Sequence, residues 1–389
     1  MKNIVYLLFI FISFLAVSQE NKLSENAQIS IITSGPGEAL YEKFGHSAIR
    51  VKDKTSNIDL IYNYGIFDFD APNFYLKFIR GFMNYKLASY KFHYAIRHTK
   101  DDERWMREQI LNLTTDEKNA FFSYLENNVK PENASYFYDP FFENCATKPR
   151  DIIKEILGDK LIFPNEGLNQ NLSIRQLMNK EIHWNTWGSL GINLALGNKL
   201  DQQSTIESAM YLPDYVFSGL ETSKVNVNGT TKPLVKRTKE LLKYAEKEIK
   251  GETINPLLIL CILMCIGLFI TYKDFKNNIR TKWFDTFVFL TTGFIGLLIV
   301  FLWFFTNHST APNNFNFLWA LAPNFFIGFI ITKKNPPKWI SKYILVLLIL
   351  LCCIPIVWIS GIQLFSFCLI PIFILLGIRY WFLQKTLNR

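Results

Sequence analysis

Two residues, Cys145 and His46, have the side-chain types that nucleophilic catalysis requires. Cys145 is the only cysteine in the first 255 residues of the sequence, so no disulfide partner for it lies in that region. A nearby imidazole converts such a thiol into a nucleophile by accepting its proton. The alternative for Cys145 is an inert buried thiol, which is a common state of free cysteines. The other cysteines lie in a far more apolar region and are Cys261, Cys265, Cys352, Cys353 and Cys368.

The predicted position of His46 is the start of a strand. Residues 47–51 alternate in the way typical of a strand, and residues 58–64 form a second strand-like run after a turn. The natural connection is an antiparallel hairpin, which brings Asn63 and Tyr64 opposite His46. Asn63 is therefore a candidate for orienting the imidazole, although Tyr64 or a backbone carbonyl group fits that position equally well.

The predicted position of Cys145 is the start of a helix. Residues 151–157 form an amphipathic helical pattern, Pro149 suits the first turn, and Gly158 ends the pattern. At a helix N-terminus, the unpaired N–H groups and the helix dipole favour a thiolate over a thiol. The backbone N–H group of Cys145 is also a candidate for stabilising an oxyanion.

The rest of the polar half of the chain predicts further helices. Residues 103–113 predict one helix, and the spacing of Thr114 and Glu117 predicts a capping box at the start of the next. Residues 172–220 are predicted to be mostly helical. The basic segment 236–250 is predicted to be a helix that lies on, or leads into, a membrane.

Beyond about residue 255, apolar runs alternate with short polar or basic loops. Five runs approach the length of about 20 residues that a bilayer core requires. Lysine and arginine are concentrated in the loops 273–283 and 333–342, whereas the loops 306–314 and 360–363 contain neither. This asymmetry predicts that the basic loops face the cytoplasm and that the N-terminal domain lies outside. The five predicted spans are approximately residues 256–272, 284–305, 315–332, 343–360 and 364–383.

The N-terminus resembles a secretory signal. Lys2 precedes an apolar run, and Ala16-Val-Ser18 has small residues at the first and third places. We expect cleavage after Ser18; an uncleaved anchor is the alternative, and both export the following domain. The predicted organisation is a signal peptide at 1–18, an exported domain at 19–230, a basic juxtamembrane stem helix at 231–255 and a transmembrane domain at 256–389.

Composition excludes several classes of protein. The chain has 389 residues, a net charge of +9 and 49% hydrophobic residues. Much of the basic excess lies in loops beside the predicted spans, so it gives no indication of nucleic-acid binding. The sequence has no glycine-rich phosphate loop, no paired-cysteine zinc motif and no internal repeat. We therefore expect neither a cofactor nor a metal site.

Several unusual runs occur in the same order as in a known family. They are residues 34–51, which include His46, residues 62–69, residues 143–151, which include Cys145, and the segment from His308 to Trp319. With these runs, the chain resembles the Bacteroides-type lipoprotein N-acyltransferase (Lnb-type) family over nearly all of its mature length. That family has an exported N-terminal domain and a C-terminal membrane domain.

The resemblance implies a fold and a reaction. The exported α+β domain is expected to be a circularly permuted papain-like fold, with the catalytic His46 on a strand hairpin and the catalytic Cys145 on a helix. An all-α membrane domain with several spans follows. The implied reaction takes an acyl chain from a membrane phospholipid, holds it as a thioester on Cys145 and passes it to the N-terminal amine of a diacylglyceryl-cysteine lipoprotein. The expected location is the inner (cytoplasmic) membrane, with the N-terminal domain in the periplasm. The expected substrate-binding residues are Tyr64, Asn144, His308 and Asn314.

Two other functions fit the same sequence. A cysteine hydrolase of cell-wall peptides would use the same pair with water as the acceptor, but it would need only one span as an anchor. A membrane scaffold or sensor with a degenerate papain-like domain would need neither the cysteine nor the histidine. Cys145→Ser distinguishes the three hypotheses: the first predicts that diacylated lipoproteins accumulate, the second predicts unchanged lipoproteins with altered cell-wall peptides, and the third predicts no phenotype.

Overall fold

A computed structural model describes residues 22–67, 72–164, 171–227 and 229–388. The predicted signal peptide, residues 1–18, lies outside these ranges. The strands within them, β1 to β10, are Gln28–Ser34, His46–Asp53, Ile58–Ile66, Asn84–Lys91, Met106–Leu111, Ser135–Phe137, Leu161–Ile162, Lys224–Val227, Thr230–Pro233 and Val235–Leu242.

The helices of the N-terminal part are short, and those of the C-terminal part are mostly long. Helices α1 to α8 are Phe74–Ile79, Phe92–Asp101, Thr115–Asn128, Thr147–Leu157, Ile174–Glu181, Trp187–Ala195, Ile206–Ala209 and Pro213–Thr222. Helices α9 to α13 are Pro256–Asn277, Lys282–Phe304, Asn324–Ile330, Trp339–Ile359 and Ile370–Leu387. An α+β domain is therefore followed by a helical domain.

A seven-stranded antiparallel sheet with the order β10-β5-β1-β2-β3-β4-β6 organises the N-terminal domain. Helices α3, α4 and α8 cover one face of the sheet and contribute Phe121, Ile153 and Val216 to the largest buried cluster of this domain. Helix α2 covers the other face through Phe92, which packs near Met106. Burial of apolar side chains on both faces fixes the register of the central strands, because a one-residue slip would turn each side chain to the opposite face.

Several local predictions are confirmed. The β2–β3 hairpin forms and pairs Ile49 with Tyr62. The capping box forms at α3, where the hydroxyl oxygen of Thr114 accepts a bond from the N–H of Glu117 and the Glu117 carboxylate accepts one from the N–H of Thr114. Segment 172–220 is mostly helical, as α5 to α8.

The helix predicted at 103–113 is wrong, because residues 106–111 form strand β5. This strand lies between β1 and β10 and is hydrogen-bonded on both sides. Its polar side chains looked compatible with a helix surface, but they are buried and paired within the sheet. Glu108 meets Arg50 at 2.9 Å, and Gln109 donates to Glu221 at 2.7 Å.

The stem helix predicted at 231–255 is also wrong. Residues 235–242 form β10, the edge strand that pairs with β5, and residues 243–255 contain no regular helix. The positions of Leu241 and Leu242 suggested a helical face. In the structure both side chains pack against the buried cluster that contains Phe92 and Met106. Their apolar surface is therefore buried by the sheet and not by a membrane.

Four helices in the described part of the chain are long and apolar enough to cross a membrane: α9, α10, α12 and the segment Phe367–Leu387 that contains α13. Helix α9 begins beside Asn185, which accepts a bond from the N–H of Leu257, and ends at Asn277, so the basic segment 273–283 lies at the far end. Arg280 in that loop donates to the carbonyl oxygens of Ile331 and Lys333, which places the second basic loop at the same end. The two loops therefore lie together, away from the sheet.

The third predicted span, 315–332, is not a continuous helix. A short 3₁₀ turn at Phe315–Leu318 is followed by a break and then by the seven-residue helix α11. Pro323 marks the break, since it has no N–H group to continue the helix. The broken segment runs antiparallel to α10: Phe317 lies near Trp303, residues 320–322 lie beside Gly296, and Ile331 accepts a bond from Arg280.

Residues 171–222, which we call the adapter, join the sheet domain to the near ends of the membrane helices. Leu190 of the adapter packs in the same buried cluster as the long apolar helices. The N–H of Gly197 donates to the carbonyl oxygen of Thr310 at 2.8 Å, and a Cβ atom on Gly197 would lie 1.8 Å from the carbonyl oxygen of Pro312. The two backbones therefore touch at a point where only glycine fits.

A buried ion pair stabilises the adapter. Arg175 and Asp201 meet at 2.9 Å with both side chains almost fully buried, and Asp201 also accepts a bond from the N–H of Leu364 in the loop before α13. A charge pair that is buried and fully hydrogen-bonded is costly to break. The adapter is therefore fixed to the membrane domain.

Hydrogen exchange will distinguish the observed strand from the predicted stem helix. Amides of Arg237 to Glu240 that bond β5 are expected to exchange slowly, whereas those of residues 244–251 are expected to exchange rapidly. Mass spectrometry of the full-length protein in detergent measures both segments together. Slow exchange of all amides from residue 236 to residue 250 would indicate one continuous helix and would contradict the strand.

Candidate active site

The side chains of Cys145 and His46 are hydrogen-bonded to each other. His46 is the first residue of β2, and Cys145 lies two residues before the first residue of α4. Both residues are partly buried. The start of a strand and the start of a helix, distant in sequence, therefore meet at one point of the fold.

Asn144 fixes the backbone around Cys145. Its side-chain oxygen accepts bonds from the N–H groups of Ala146 and Thr147, at 2.8 and 2.9 Å. Its side-chain nitrogen donates to the carbonyl oxygens of Pro140 and Tyr211. These bonds occupy the amide of Asn144 within the protein and fix the start of α4, whereas the contact of Asn144 with substrate stays a prediction.

The N–H group of Cys145 is the helix-start amide that remains directed at the reactive sulfur. Two backbone N–H groups, those of Cys145 and Ser47, donate to the Cys145 sulfur. Hydrogen bonds to a thiolate favour the charged form. If the sulfur attacked a carbonyl carbon, the same groups would lie near the oxygen on which negative charge develops.

Asn63 orients the imidazole of His46. Nε2 of His46 lies 2.6 Å from the side-chain oxygen of Asn63, so this nitrogen donates and Nδ1 is left for the thiol. The side-chain nitrogen of Asn63 in turn donates to the hydroxyl oxygen of Tyr90 at 3.0 Å. The sequence left Asn63, Tyr64 and a backbone carbonyl group as alternatives for orienting the imidazole. The β2–β3 hairpin brings Asn63 into contact with the ring.

Burial opposes the charged form of both reactive side chains. Burial would raise the pKa of Cys145, but the charge of His46 and the hydrogen bonds from His46, Ser47 and the residue's own N–H lower that pKa below its usual value. Burial would likewise lower the pKa of His46, but Cys145 and the bond with Asn63 raise that pKa above its usual value. The pair therefore favours a thiolate beside an imidazolium.

Sequence reasoning missed two tyrosines beside the sulfur. Burial and the charge of Cys145 raise the pKa values of Tyr136 and Tyr138, so both hydroxyl groups remain protonated near the thiolate. Gly65 lies beside the same cysteine. Its φ is +96°, and a Cβ atom built on it would lie 3.8 Å from the Cβ atom of Cys145. Tyr138 lies seven residues before Cys145 in the sequence, but nothing in its local spacing indicated a role.

Arg104 was also missed. Its side chain is buried and donates to the carbonyl oxygen of Gly35 at 2.8 Å, and it pairs with Glu42 at 3.6 Å. It therefore fixes the loop that leads into His46. Its positive charge also opposes protonation of that imidazole.

Tyr64 does not contact the reactive pair. It alternates with Asn63 along β3 and points to the opposite face, where it lies in the main buried cluster. Its hydroxyl oxygen accepts a bond from Asn128 at 3.1 Å, and burial raises its pKa. The prediction that Tyr64 binds substrate is therefore replaced by a role in the core.

His308 and Asn314 fasten the loop after α10 to the N-terminal domain. Nε2 of His308 lies 3.2 Å from the carbonyl oxygen of Ile79 at the end of α1. Asn314 is buried, and its side-chain nitrogen donates to the carbonyl oxygen of Leu194 in the adapter at 2.7 Å. The contacts of Asn314 are internal to the protein, so the structure gives it a docking role and not the predicted contact with substrate.

The fold and the site define a class of protein: an α+β domain with a thiol–imidazole pair, fixed to helices that are long and apolar enough to cross a membrane. Two family models match the chain, the Lnb N-terminal periplasmic domain over residues 16–179 and the Lnb transmembrane domain over residues 247–388. The chain belongs to the Lnb family, as the sequence resemblance predicted, and has a periplasmic N-terminal domain and a membrane domain. No curated protein and no solved structure matches it.

The pH dependence of Cys145 alkylation tests the ion pair. With a lowered thiol pKa, Cys145 is expected to react rapidly with iodoacetamide at pH 7, below the usual thiol pKa of about 8.5. His46→Ala removes the stabilising charge, raises the thiol pKa and is expected to slow alkylation at pH 7 roughly tenfold or more. Mass spectrometry of the Cys145 peptide measures the rate.

His98→Ala provides a matched control, because it also removes one imidazole, and His98 is exposed and lies beside Asp102 instead of Cys145. Alkylation of Cys145 in this variant should follow the pH profile of the unmodified protein. If His46→Ala left the pH dependence of Cys145 alkylation unchanged, the thiolate–imidazolium pair would be disproved.

Substitution of Asn63 tests the orientation of the ring. Asn63→Ala removes the bond to Nε2 and is expected to slow alkylation of Cys145 at pH 7 about tenfold, as the loss of one buried hydrogen bond would. Asn63→Asp keeps the acceptor and adds negative charge, so it should raise the pKa of His46 further. Tyr90→Phe removes only the more distant bond and should have a smaller effect. Equal effects of all three substitutions would contradict a direct role of Asn63.

Proposed function

We propose that this protein is a lipoprotein N-acyltransferase that uses Cys145 as its nucleophile and His46 as its general base and acid. The acyl donor is a membrane phospholipid, and the acceptor is the N-terminal amine of a diacylglyceryl-cysteine lipoprotein. The observation that carries the proposal is the position of the hydrogen-bonded Cys145–His46 pair in a domain that the adapter fixes to the near ends of the apolar helices. A site held there can act on two substrates that are both lipids.

In the first half-reaction, the Cys145 thiolate attacks the ester carbonyl carbon of the phospholipid. The N–H of Cys145 stabilises the resulting oxyanion. The carbon–oxygen bond of the ester then breaks, the departing lysophospholipid alkoxide takes the proton from the His46 imidazolium, and a thioester on Cys145 remains.

In the second half-reaction, the free amine of the lipoprotein attacks the thioester carbonyl carbon. His46, now neutral, takes the proton that the amine loses, and the carbon–sulfur bond breaks to give an amide and the Cys145 thiolate. Atoms and charges balance over the two steps, because the proton given to the lysophospholipid is replaced by the proton of the amine. Asn63 keeps the imidazole turned toward the sulfur throughout.

The same proposal includes the fold of the N-terminal domain, the number of membrane crossings and the orientation in the membrane. The position of Cys145 at a helix start and of His46 at a strand start supports a circularly permuted papain-like domain. The broken segment 315–332 runs the length of α10 and supports a fifth crossing in an interrupted form. We propose a cleaved signal peptide at 1–18, a catalytic domain from residue 19 that extends through β10, and an inner-membrane location with the basic loops in the cytoplasm.

Replacement of Cys145 tests the function in cells that depend on this protein. Cys145→Ser is expected to reduce acyl transfer by a factor of roughly 10⁴ or more, as the loss of a nucleophile does in other acyl-transfer enzymes. Diacylated lipoproteins should accumulate, and mass spectrometry of lipoprotein N-terminal peptides measures them. Cys265→Ser, in a membrane helix, is the matched control and should have no effect.

Other outcomes of the same experiment identify the other candidate functions. Normal lipoproteins together with altered cell-wall peptides would indicate a hydrolase. Normal lipoproteins and normal cell-wall peptides would indicate a scaffold, and either result would disprove the acyltransferase.

A further inference from the structure

A cavity of about 260 Å³ lies between α1, the end of β3 and the start of β4. We call it the α1 cavity. Aromatic and aliphatic side chains form most of its lining, including Ile66, Phe74, Phe78, Phe82 and Tyr85. Such a lining favours an apolar ligand.

The α1 cavity shares a wall with the reactive sulfur. Ile66 follows Gly65, whose backbone lies against Cys145. On the other side, the ring of Tyr85 stacks on that of Tyr138 with centroids 4.3 Å apart, and Tyr138 experiences the charge of Cys145. An apolar chain in the cavity would therefore have one end close to the thiol.

The outer side of the α1 cavity is an unusually apolar surface. In α1, Tyr75 is 69% exposed, and Leu76 and Ile79 are each more than half exposed. A soluble domain seldom leaves so many large apolar residues of one short helix in water. The helix therefore requires an apolar surface to cover it.

The structure also indicates what covers α1. The N–H of Asn307 donates to the carbonyl oxygen of Arg80 at 2.9 Å, which joins the end of α1 to the loop that follows α10. Phe304 is the last residue of α10, and Phe305 is its C-cap. Both are about two-thirds exposed, and α10 is long and apolar enough to cross a membrane. The apolar surface of α1 is thus continuous with the lipid-facing surface of α10.

Two lysines lie at the border of the α1 cavity. Lys77 and Lys86 both contribute to its lining, and both are exposed. Long lysine side chains keep their charge at the level of the headgroups while their stems lie along apolar surface. An apolar cavity with cationic groups at its border matches a phospholipid, in which glycerol joins the acyl chains to an anionic phosphate group.

We propose that the α1 cavity holds the reacting acyl chain of the phospholipid donor, and that α1 lies in the membrane interface as the entrance to this cavity. This proposal rests on the acyl transfer described above and adds where the donor binds. The cavity is slightly smaller than the roughly 300–1,000 Å³ of typical ligand sites, so it holds only part of a long chain. The remainder lies along the exposed surface of α1, and Lys77 and Lys86 contact the phosphate.

Substitutions of Phe78 test the proposal, because this side chain lines the cavity yet is 46% exposed. The full-length protein is mixed with phospholipids whose acyl chains range from short to long, and mass spectrometry measures the acyl adduct on Cys145. Phe78→Trp narrows the cavity and should lower the ratio of long-chain to short-chain adduct roughly tenfold or more. Phe78→Ala widens it and should shift the ratio in the opposite direction.

Tyr94→Trp is the matched control, because Tyr94 is an exposed aromatic residue of helix α2 and does not line the cavity. Its chain-length ratio should equal that of the unmodified protein. Alkylation of Cys145 at pH 7 should be unchanged in all three variants, which confirms that the reactive pair is intact.

The outcomes separate the two proposals. If the unmodified protein forms adducts and both Phe78 variants keep its chain-length ratio, the acyl chain does not bind in the α1 cavity, but acyl transfer stands. If the unmodified protein forms no adduct with any phospholipid, the proposed function itself is disproved. Lys77→Gln combined with Lys86→Gln should reduce adduct formation with intact phospholipid more than with a neutral diacylglycerol; an equal reduction would disprove the contact with phosphate.

Discussion

The contact between the Cys145 sulfur and the His46 ring is the constraint on which the rest of the structure depends. Burial opposes charge on each group, and the charge and hydrogen bond of the other group shift each pKa toward the charged form. Separation of the two groups would remove this support. The sheet, the side-chain bonds of Asn144 at the start of α4 and the bond that His46 donates to Asn63 keep this distance fixed.

The second requirement is the position of that pair relative to the membrane helices. The adapter supplies it through a buried ion pair, close backbone contacts and apolar packing, and the loop after α10 adds bonds to α1. Asn314 and His308 act in this docking. Residues that looked like substrate ligands in the sequence thus hold two domains together, which also places the exposed apolar helix α1 beside a lipid-facing surface.

Local patterns predicted those parts of the fold that local interactions decide. The β2–β3 hairpin, the capping box at Thr114 and the helix after Cys145 depend on neighbours in sequence, and they were found. Strands β5 and β10 were mistaken for helices because their side chains are satisfied by distant partners, such as Arg50 for Glu108. The break at Pro323 was hidden in an apolar run. Tyr138 and Arg104 reach the site only through tertiary contacts, so no spacing in the sequence could reveal them.

The close backbone contact at Gly197 has a consequence for traffic through the site. Together with the hydrogen bond from Gly197 to Thr310 and the buried Arg175–Asp201 pair, this close packing holds the periplasmic domain against the helices. In the proposed reaction, substrate exchange therefore depends on movement of the lipids. The lysophospholipid diffuses within the membrane out of the entrance at α1, and the next lipid substrate enters there. Lysophospholipid that lingers at that entrance would then compete with the incoming lipoprotein, and the enzyme would slow in membranes where the spent lipid is not cleared.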